Sequence, residues 1–245
     1  MTRPRTTPPA RTSWQIEPVG DTCLLVRVGD RVDAAVSNDV HAVVALLRDA
    51  RLPGVTDIVP AFTTVALHYQ PRAYTRTGEP AVRQLKRAVE TALAPGLTHA
   101  ITSPRQIDIP VCYGGEFGPD LADVAAHCKL SAADVIERHS GTDQVLYTFF
   151  FAPGNPFCGP VDPSLAMTRR KTPRTHVPAG SVAIANGIST IYQTASPGGW
   201  HIIGRTPLNL FDLHRDPPMQ LQLGDRIRFV PISRSDFDLQ LEPRA

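Results

Sequence analysis

The amino-acid sequence predicts an α+β protein: a small N-terminal α/β sandwich followed by a closed β-barrel. Three observations predict it. Residues 14–102 alternate strand-like and helix-like segments in the order ββαββα, the pattern of one sheet with two helices on one face. Fifteen of the twenty-four prolines follow residue 100, and proline is excluded from helix interiors and central strands. Short β-rich runs separated by turn residues then recur toward the C-terminus, as closed barrels require.

In the first zone, Trp14–Val19 and Thr22–Val28 are β-rich and flank Gly20-Asp21, a hairpin signal. A helix is expected over Asn38–Ala50, because Val40, Val43, Val44 and Leu47 recur at i, i+3, i+4 and i+7. Ser37 is its expected N-cap. Val55–Val59 and Thr64–Tyr69 read as strands, and Glu79–Leu93 as a second helix that Pro95-Gly96 stops.

The second zone opens on a short strand, Ile107–Ile109, expected to end at Pro110. Helices are expected over Pro119–His127 and Ser131–His139, the second with a capping box from Ser131 and Asp134. Gln144–Phe151 is the most β-prone run. A Pro/Gly loop follows over Ala152–Pro163, then a basic stretch. Further strands are expected at Ser181–Ala185, Ile188–Tyr192, His201–Gly204, Gln220–Leu223 and Arg226–Val230. The expected domains are 14–102 and 103–235, with a disordered tail at 1–13 and a second tail at 236–245.

Composition excludes several functional classes. A net charge of +2 without a strongly basic block argues against a nucleic-acid partner. No apolar run approaches the roughly 20 residues of a spanning helix, so no membrane partner is expected. Met1–Thr12 has arginines but no apolar stretch after them, unlike a secretory signal. Cys23, Cys112, Cys128 and Cys158 are scattered, with no CxxC pair. They read as reduced thiols of a cytoplasmic protein, and no metal is expected. There is no GxxxxGK[ST], GxSxG or HExxH.

Each candidate residue has a structural and a chemical reading. Ser196-Pro197-Gly198-Gly199 is either a turn or a loop whose backbone approaches a ligand. Trp200 is a core anchor or a substrate platform. His139, near a helix C-terminus, favours the helix dipole when charged or acts as a general acid/base. Arg169, Arg170 and Arg174 are a solvated face or a clamp for a carboxylate or phosphate. Ser181 and Tyr192 are buried barrel residues or donors to a substrate carbonyl.

Longer motifs carry a resemblance. Ile109-Pro110-Val111-Cys112-Tyr113-Gly114-Gly115 with Gly118-Pro119-Asp120-Leu121, then Val177-Pro178-Ala179-Gly180-Ser181-Val182-Ala183-Ile184, then Ser196–Thr206, Leu210-Phe211-Asp212 and Gly224–Pro231 resemble, in order, the family of the 5-oxoprolinase B subunit, allophanate hydrolase subunit 1 and the kinase inhibitor KipI. The resemblance implies a cyclophilin-like barrel. It also implies a partner related to the 5-oxoprolinase C subunit, allophanate hydrolase subunit 2 or KipA. A further subunit, of the A type, would complete the ATP-dependent opening of 5-oxoproline to glutamate. ATP is then used through the complex, on the amide carbonyl of a small-molecule substrate, with oxyanion-type stabilisation by arginine and backbone N–H groups. Expected catalytic residues are His139, Arg170 and Arg174. Expected substrate-binding residues are Asn155, Ser181, Tyr192, Gly198, Gly199 and Trp200.

Two loops depart from the family pattern. Asn155 replaces an aromatic in the loop Phe151–Val161, and Asn186–Gln193 stands where the family has GGQTGIYP. These departures leave open a two-subunit enzyme of specialised metabolism with another substrate; the resemblance itself leaves open a KipI-like inhibitor of a sensor histidine kinase.

Overall fold

Alternating apolar residues place the first sheet. In the computed structural model, which describes residues 14–97 and 105–241, β2 (Cys23–Arg27) buries Leu24 and Val26 directly opposite Leu67 and Val65 of β4 (Thr64–Tyr69). β1 (Gln15–Pro18) and β3 (Val55–Pro60) flank them, giving the antiparallel order β1-β2-β4-β3. The helices α1 (Ala34–Asp49) and α2 (Ala81–Leu93) supply Val40, Val43, Leu47, Leu85, Val89 and Leu93 to the same core. The ββαββα order is as expected. Burying apolar side chains of this size contributes roughly 1.5–3 kcal/mol each.

The first helix begins four residues earlier than its periodicity suggests. Asp33, not Ser37, is the N-cap: its Oδ1 accepts the Val36 N–H at 2.8 Å. Ser37 is buried inside the helix. An aspartate before an Ala-Ala pair caps without being part of the apolar pattern, so the pattern alone marks the start too late.

The chain divides into two units, 1–102 and 103–245. The expected tail at 1–13 lies outside the described residues. In the second unit, β5 (Gln106–Tyr113), β6 (Gln144–Phe149), β7 (Pro156–Gly159), β9 (Ser181–Ala185), β10 (Ile188–Ile191), β12 (His201–Arg205) and β13 (Arg226–Pro231) close into a barrel in the order β10-β7-β6-β13-β5-β12-β9. The helices α3 (Leu121–Cys128) and α4 (Ala132–Ser140) add Leu121, Val124, Ala125 and Val135 to a core built on Ile109, Val111, Leu146, Ile184, Ile203 and Phe229. The capping box on α4 is present, with Asp134 N–H on Ser131 Oγ at 3.1 Å and Ser131 N–H on Asp134 Oδ2 at 2.9 Å. A short antiparallel ribbon pairs β8 (Arg174–Val177) with β11 (Ser196–Gly198).

Four expectations are corrected. β5 does not stop at Pro110. Its neighbour Val111 accepts the Ile232 N–H at 3.0 Å, so Pro110 turns its missing donor away from β13, toward the side where β12 pairs only with Cys112 and Tyr113. The Pro/Gly loop contains a barrel strand, β7, in which proline takes the first position. Gln220–Leu223 is not a strand, because its N–H groups go to loop partners: Gln220 to the Leu210 carbonyl and Gln222 to Asp225 Oδ2. The segment read as a tail from 236 carries helix α5 (Arg234–Gln240), capped by Ser233 and anchored by buried Phe237.

One glycine positions the site. Gly118 lies against β12 so closely that a Cβ would overlap the Ile203 carbonyl. We expect Gly118→Ala to push the start of α3 off the barrel, lowering stability by about 1–3 kcal/mol. The shift in urea midpoint relative to the parent protein measures it.

Candidate functional site

Asp120 is the hub of the site. It directly precedes α3, and its own N–H bonds the Ile202 carbonyl of β12 at 2.9 Å. Its carboxylate is 1% exposed and accepts four donors. Arg174 is bidentate, at 2.8 Å to Oδ2 and 2.7 Å to Oδ1; Arg170 bonds Oδ1 at 2.8 Å; the Ile202 N–H bonds Oδ2 at 2.7 Å. Burial pushes the carboxyl pKa up, but the Arg174 bond, the Ile202 N–H and the charges of both arginines outweigh it and hold the pKa below its usual value. Arg170 and Arg174 were expected to grip a ligand's carboxylate or phosphate; the carboxylate they grip is the chain's own, and Arg169 does not bond it. One anion between two cations leaves one positive charge over.

Beside the clamp lies a cleft of about 90 Å³, lined by Arg174 together with Glu116, Phe117, His176, Ser181 and Arg205. Arg205 is half-buried. Its Nε donates to the Ala179 carbonyl at 2.8 Å and its guanidinium stands 5.6 Å from the Phe117 ring centre. Among the described residues it has no ion pair. Burial lowers its pKa, and Glu116 only partly offsets this. A partly desolvated guanidinium without an ion pair has the chemistry to accept an anion. Ser181 lines the same cleft, but its hydroxyl already donates to the Pro178 carbonyl at 2.7 Å. It can accept from a ligand; its single proton is committed, which corrects its reading as a donor.

The Gly198-Gly199-Trp200 segment borders the clamp. Gly198 lies against the Tyr192 phenol, where a Cβ would overlap the hydroxyl, and the Gly199 carbonyl accepts the Arg170 N–H at 2.8 Å. Tyr192 is buried with Val177, Ala183 and Ile202, and Trp200 packs against this group. Trp200 also meets the Phe157 ring edge-on at 5.4 Å. Tyr192 is tied to Ser181 by its N–H on the Ser181 carbonyl at 2.9 Å. Arg170, Arg174, Ser181, Tyr192, Gly198, Gly199 and Trp200 thus converge on one region.

Two expected residues do not join it. Asn155 is buried, and its Oδ1 accepts the Gln193 N–H at 2.7 Å; Gln193 in turn bonds the Asn209 side chain and, through Oε1, the Leu210 N–H at 3.1 Å. Asn155 braces a loop. His139 is fully buried in the barrel core. One ring nitrogen meets the Tyr113 hydroxyl at 2.7 Å, the other the Ser189 hydroxyl at 2.9 Å, and the ring lies 4.5 Å from Phe229. Burial lowers its pKa to about 3. It is neutral near pH 7 and out of reach of a ligand, so the general acid/base role is corrected to that of a buried brace.

Asp120 and Arg205 were not singled out in the sequence, although both lie inside the motifs Gly118–Leu121 and Gly204–Thr206. A second cleft, of about 260 Å³, lies in the first unit beside Arg48, Arg51 and Asp57. Its lining holds no His, Cys or Ser to act as base or nucleophile. Among the described residues no group of three or more His, Cys, Asp or Glu could hold a metal ion, and no helix is long and apolar enough to cross a membrane.

Comparison with known proteins agrees with this fold. Residues 14–221 match the family described as carboxyltransferase domain, subdomain C and D. The chain is 39% identical to the 5-oxoprolinase B subunit of Bacillus subtilis over 91% of its own length and 95% of the relative's. The crystal structure of TTHA0988 is similar with a TM-score of 0.73 and 34% identity over 86% of this chain, which spans 40% of that chain's length. The Kluyveromyces lactis urea amidolyase structure shares the fold at a TM-score of 0.74 and 16% identity, over 93% of this chain and 15% of that one. An α+β chain with a closed barrel, matched from its first described residue into the last barrel loop, belongs to the carboxyltransferase-domain family of subdomains C and D, together with the B subunit of 5-oxoprolinase.

Proposed function

We propose that the chain is one subunit of a heteromeric, ATP-dependent amide hydrolase of the 5-oxoprolinase type. The near full-length likeness to the B subunit of 5-oxoprolinase carries this reading. That likeness does not favour the inhibitor or specialised-metabolism alternatives. The substrate class is a small cyclic amide or ureide, and the partners are proteins of the C and A types. An ATP-consuming complex of this kind works in the cytoplasm.

In this reading, ATP bound by the assembled complex supplies the phosphoryl group that turns the amide carbonyl oxygen into a leaving group. The chain's own residues bind and orient. Arg205 receives the anionic group of the substrate at the cleft wall, and Phe117 excludes water from one face of the guanidinium. Asp120 holds Arg170 and Arg174 in place, so the extra positive charge stays aimed at the mouth with no reorganisation during reaction. Gly198 and Gly199 let the backbone come close, and the partner closes a cleft that one chain leaves shallow.

The test is the complex assembled from this chain and its companion subunits, supplied with ATP and 5-oxoproline. Glutamate formed only when all components are present is the expected result. No glutamate, or turnover by this chain alone, overturns the reading. In the active complex, Arg205→Ala should raise KM about 10- to 100-fold with a smaller effect on kcat, the loss of one charge-assisted contact. Arg205→Ala also removes the bond to the Ala179 carbonyl and the contact with Phe117, so the variant should be less stable by about 1 kcal/mol, and KM is compared at a temperature where it is fully folded.

A further inference from the structure

The turn between β6 and β7 holds two phenylalanines in water. Phe150 is 53% exposed and Phe151 81%. Phe151 sits at φ 68°, a region a bulky side chain adopts only under constraint. The constraint is local. The Ala152 N–H closes on the Phe150 carbonyl at 2.9 Å, and Asn155 and Phe150 then close the turn from either side, each at 3.2 Å. Asn155 is anchored in turn by the Gln193 N–H. A buried amide network thus maintains a strained backbone, and its outward product is an aromatic pair, edge to face at 4.8 Å, standing in solvent. Strain of this kind persists only where the surroundings over-determine it.

The exposed pair is joined to the site through a buried ring, Phe157. Phe150 and Phe151 each lie 6.1 Å from Phe157, and Phe157 meets Trp200. Trp200 follows Gly199, which holds the Arg170 backbone. At that end the rim is basic: residues 168–177 include Arg169, Arg170, Lys171 and Arg174 and no acidic residue. Arg169 and Lys171 are exposed and without an ion pair among the described residues.

We propose that Phe150 and Phe151 anchor the companion protein beside the mouth of the cleft, in an apolar pocket with carboxylates on the side facing Arg169 and Lys171. The proposal rests on the heteromeric reading above. Charge complementarity selects this occupant. A second copy packed symmetrically on the same patch would bring two basic rims together, which opposes association. Exposed aromatics flanked by charge are the composition of binding hot spots.

Calorimetric titration of the recombinant companion protein into wild type, Phe150→Ser, Phe151→Asn and the double variant Arg169→Glu/Lys171→Glu tests it. Phe151→Asn should weaken binding at least about 30-fold while keeping or raising the thermal midpoint, because asparagine tolerates the left-handed region better. Phe150→Ser should weaken it similarly. The double variant should lose the salt dependence of wild-type binding. Wild-type binding with undiminished affinity in Phe151→Asn overturns this surface and leaves the heteromer intact. No binding by wild type overturns both. Dimerisation of the lone chain that Phe151→Asn abolishes assigns the surface to a second copy and overturns the proposal.

Discussion

Asp120→Ala is expected to cost about 3–5 kcal/mol, the usual result of removing one partner from a buried ion cluster. The carboxylate accepts four donors. Without it, two guanidiniums face each other across a hole and the Ile202 N–H has no acceptor. Asp120→Asn separates charge from shape. It keeps the volume, places an NH2 group against two cations, and should fall nearly as far. Tryptophan fluorescence reads the second unit cleanly if Trp14 is replaced by Phe, leaving Trp200 as the single reporter. A urea midpoint within the noise of wild type would show that the cluster contributes nothing. The pH sense follows from the lowered carboxyl pKa. The contribution is complete above the ordinary aspartate value of about 4 and is lost as pH falls through the lower folded value.

His139 adds a separate acid sensitivity. Its folded pKa, about 3, lies below the ordinary value of about 6.5. Between those limits the unfolded chain binds a proton that the folded chain refuses. Stability should therefore decline by about 1.4 kcal/mol for each pH unit below about 6.5, until the folded pKa is reached. The loss begins at mild acidity, well before Asp120 protonates, so the two effects separate on the pH axis. His139→Gln should flatten the slope, because glutamine carries no titrating group between Tyr113 and Ser189. Equal slopes in wild type and variant, or an imidazole signal titrating near 6.5 by NMR, would refute the assignment.

Local signals were readable where the partners are local. Val40, Val43, Val44 and Leu47 mark a helix face because i, i+3 and i+4 are neighbours on any helix. Ser131 and Asp134 cap each other three residues apart. Leu24 and Val26 alternate because a sheet has two faces. The misreadings share the opposite property. β7 is four residues long, and its neighbours β6 and β10 determine it, not its own sequence, which opens on a proline. Pro110 reads as a stop until the side lacking a partner is known. His139 suggests a helix-dipole residue when only its own helix is visible; Tyr113 and Ser189, 26 and 50 residues away, make it a buried brace. Asp120 meets Arg170 and Arg174 across 50 and 54 residues. A charge pair at that distance leaves no periodic trace. The arginines suggested a clamp from their chemistry, but nothing near them named the carboxylate.

The pairing of β13 with β5 has a consequence for biosynthesis. Arg226 lies beside Gln106, 120 positions earlier, and the same strand also joins β6. As the ribosome delivers the polypeptide, β5 and β6 emerge early with open hydrogen-bonding edges and no link between them. They wait for the last strand to arrive. Ring closure is therefore a late, long-range event of the slow kind, and a nascent chain stalled before residue 226 would present two unguarded edges to chaperones or to its neighbours on the polysome.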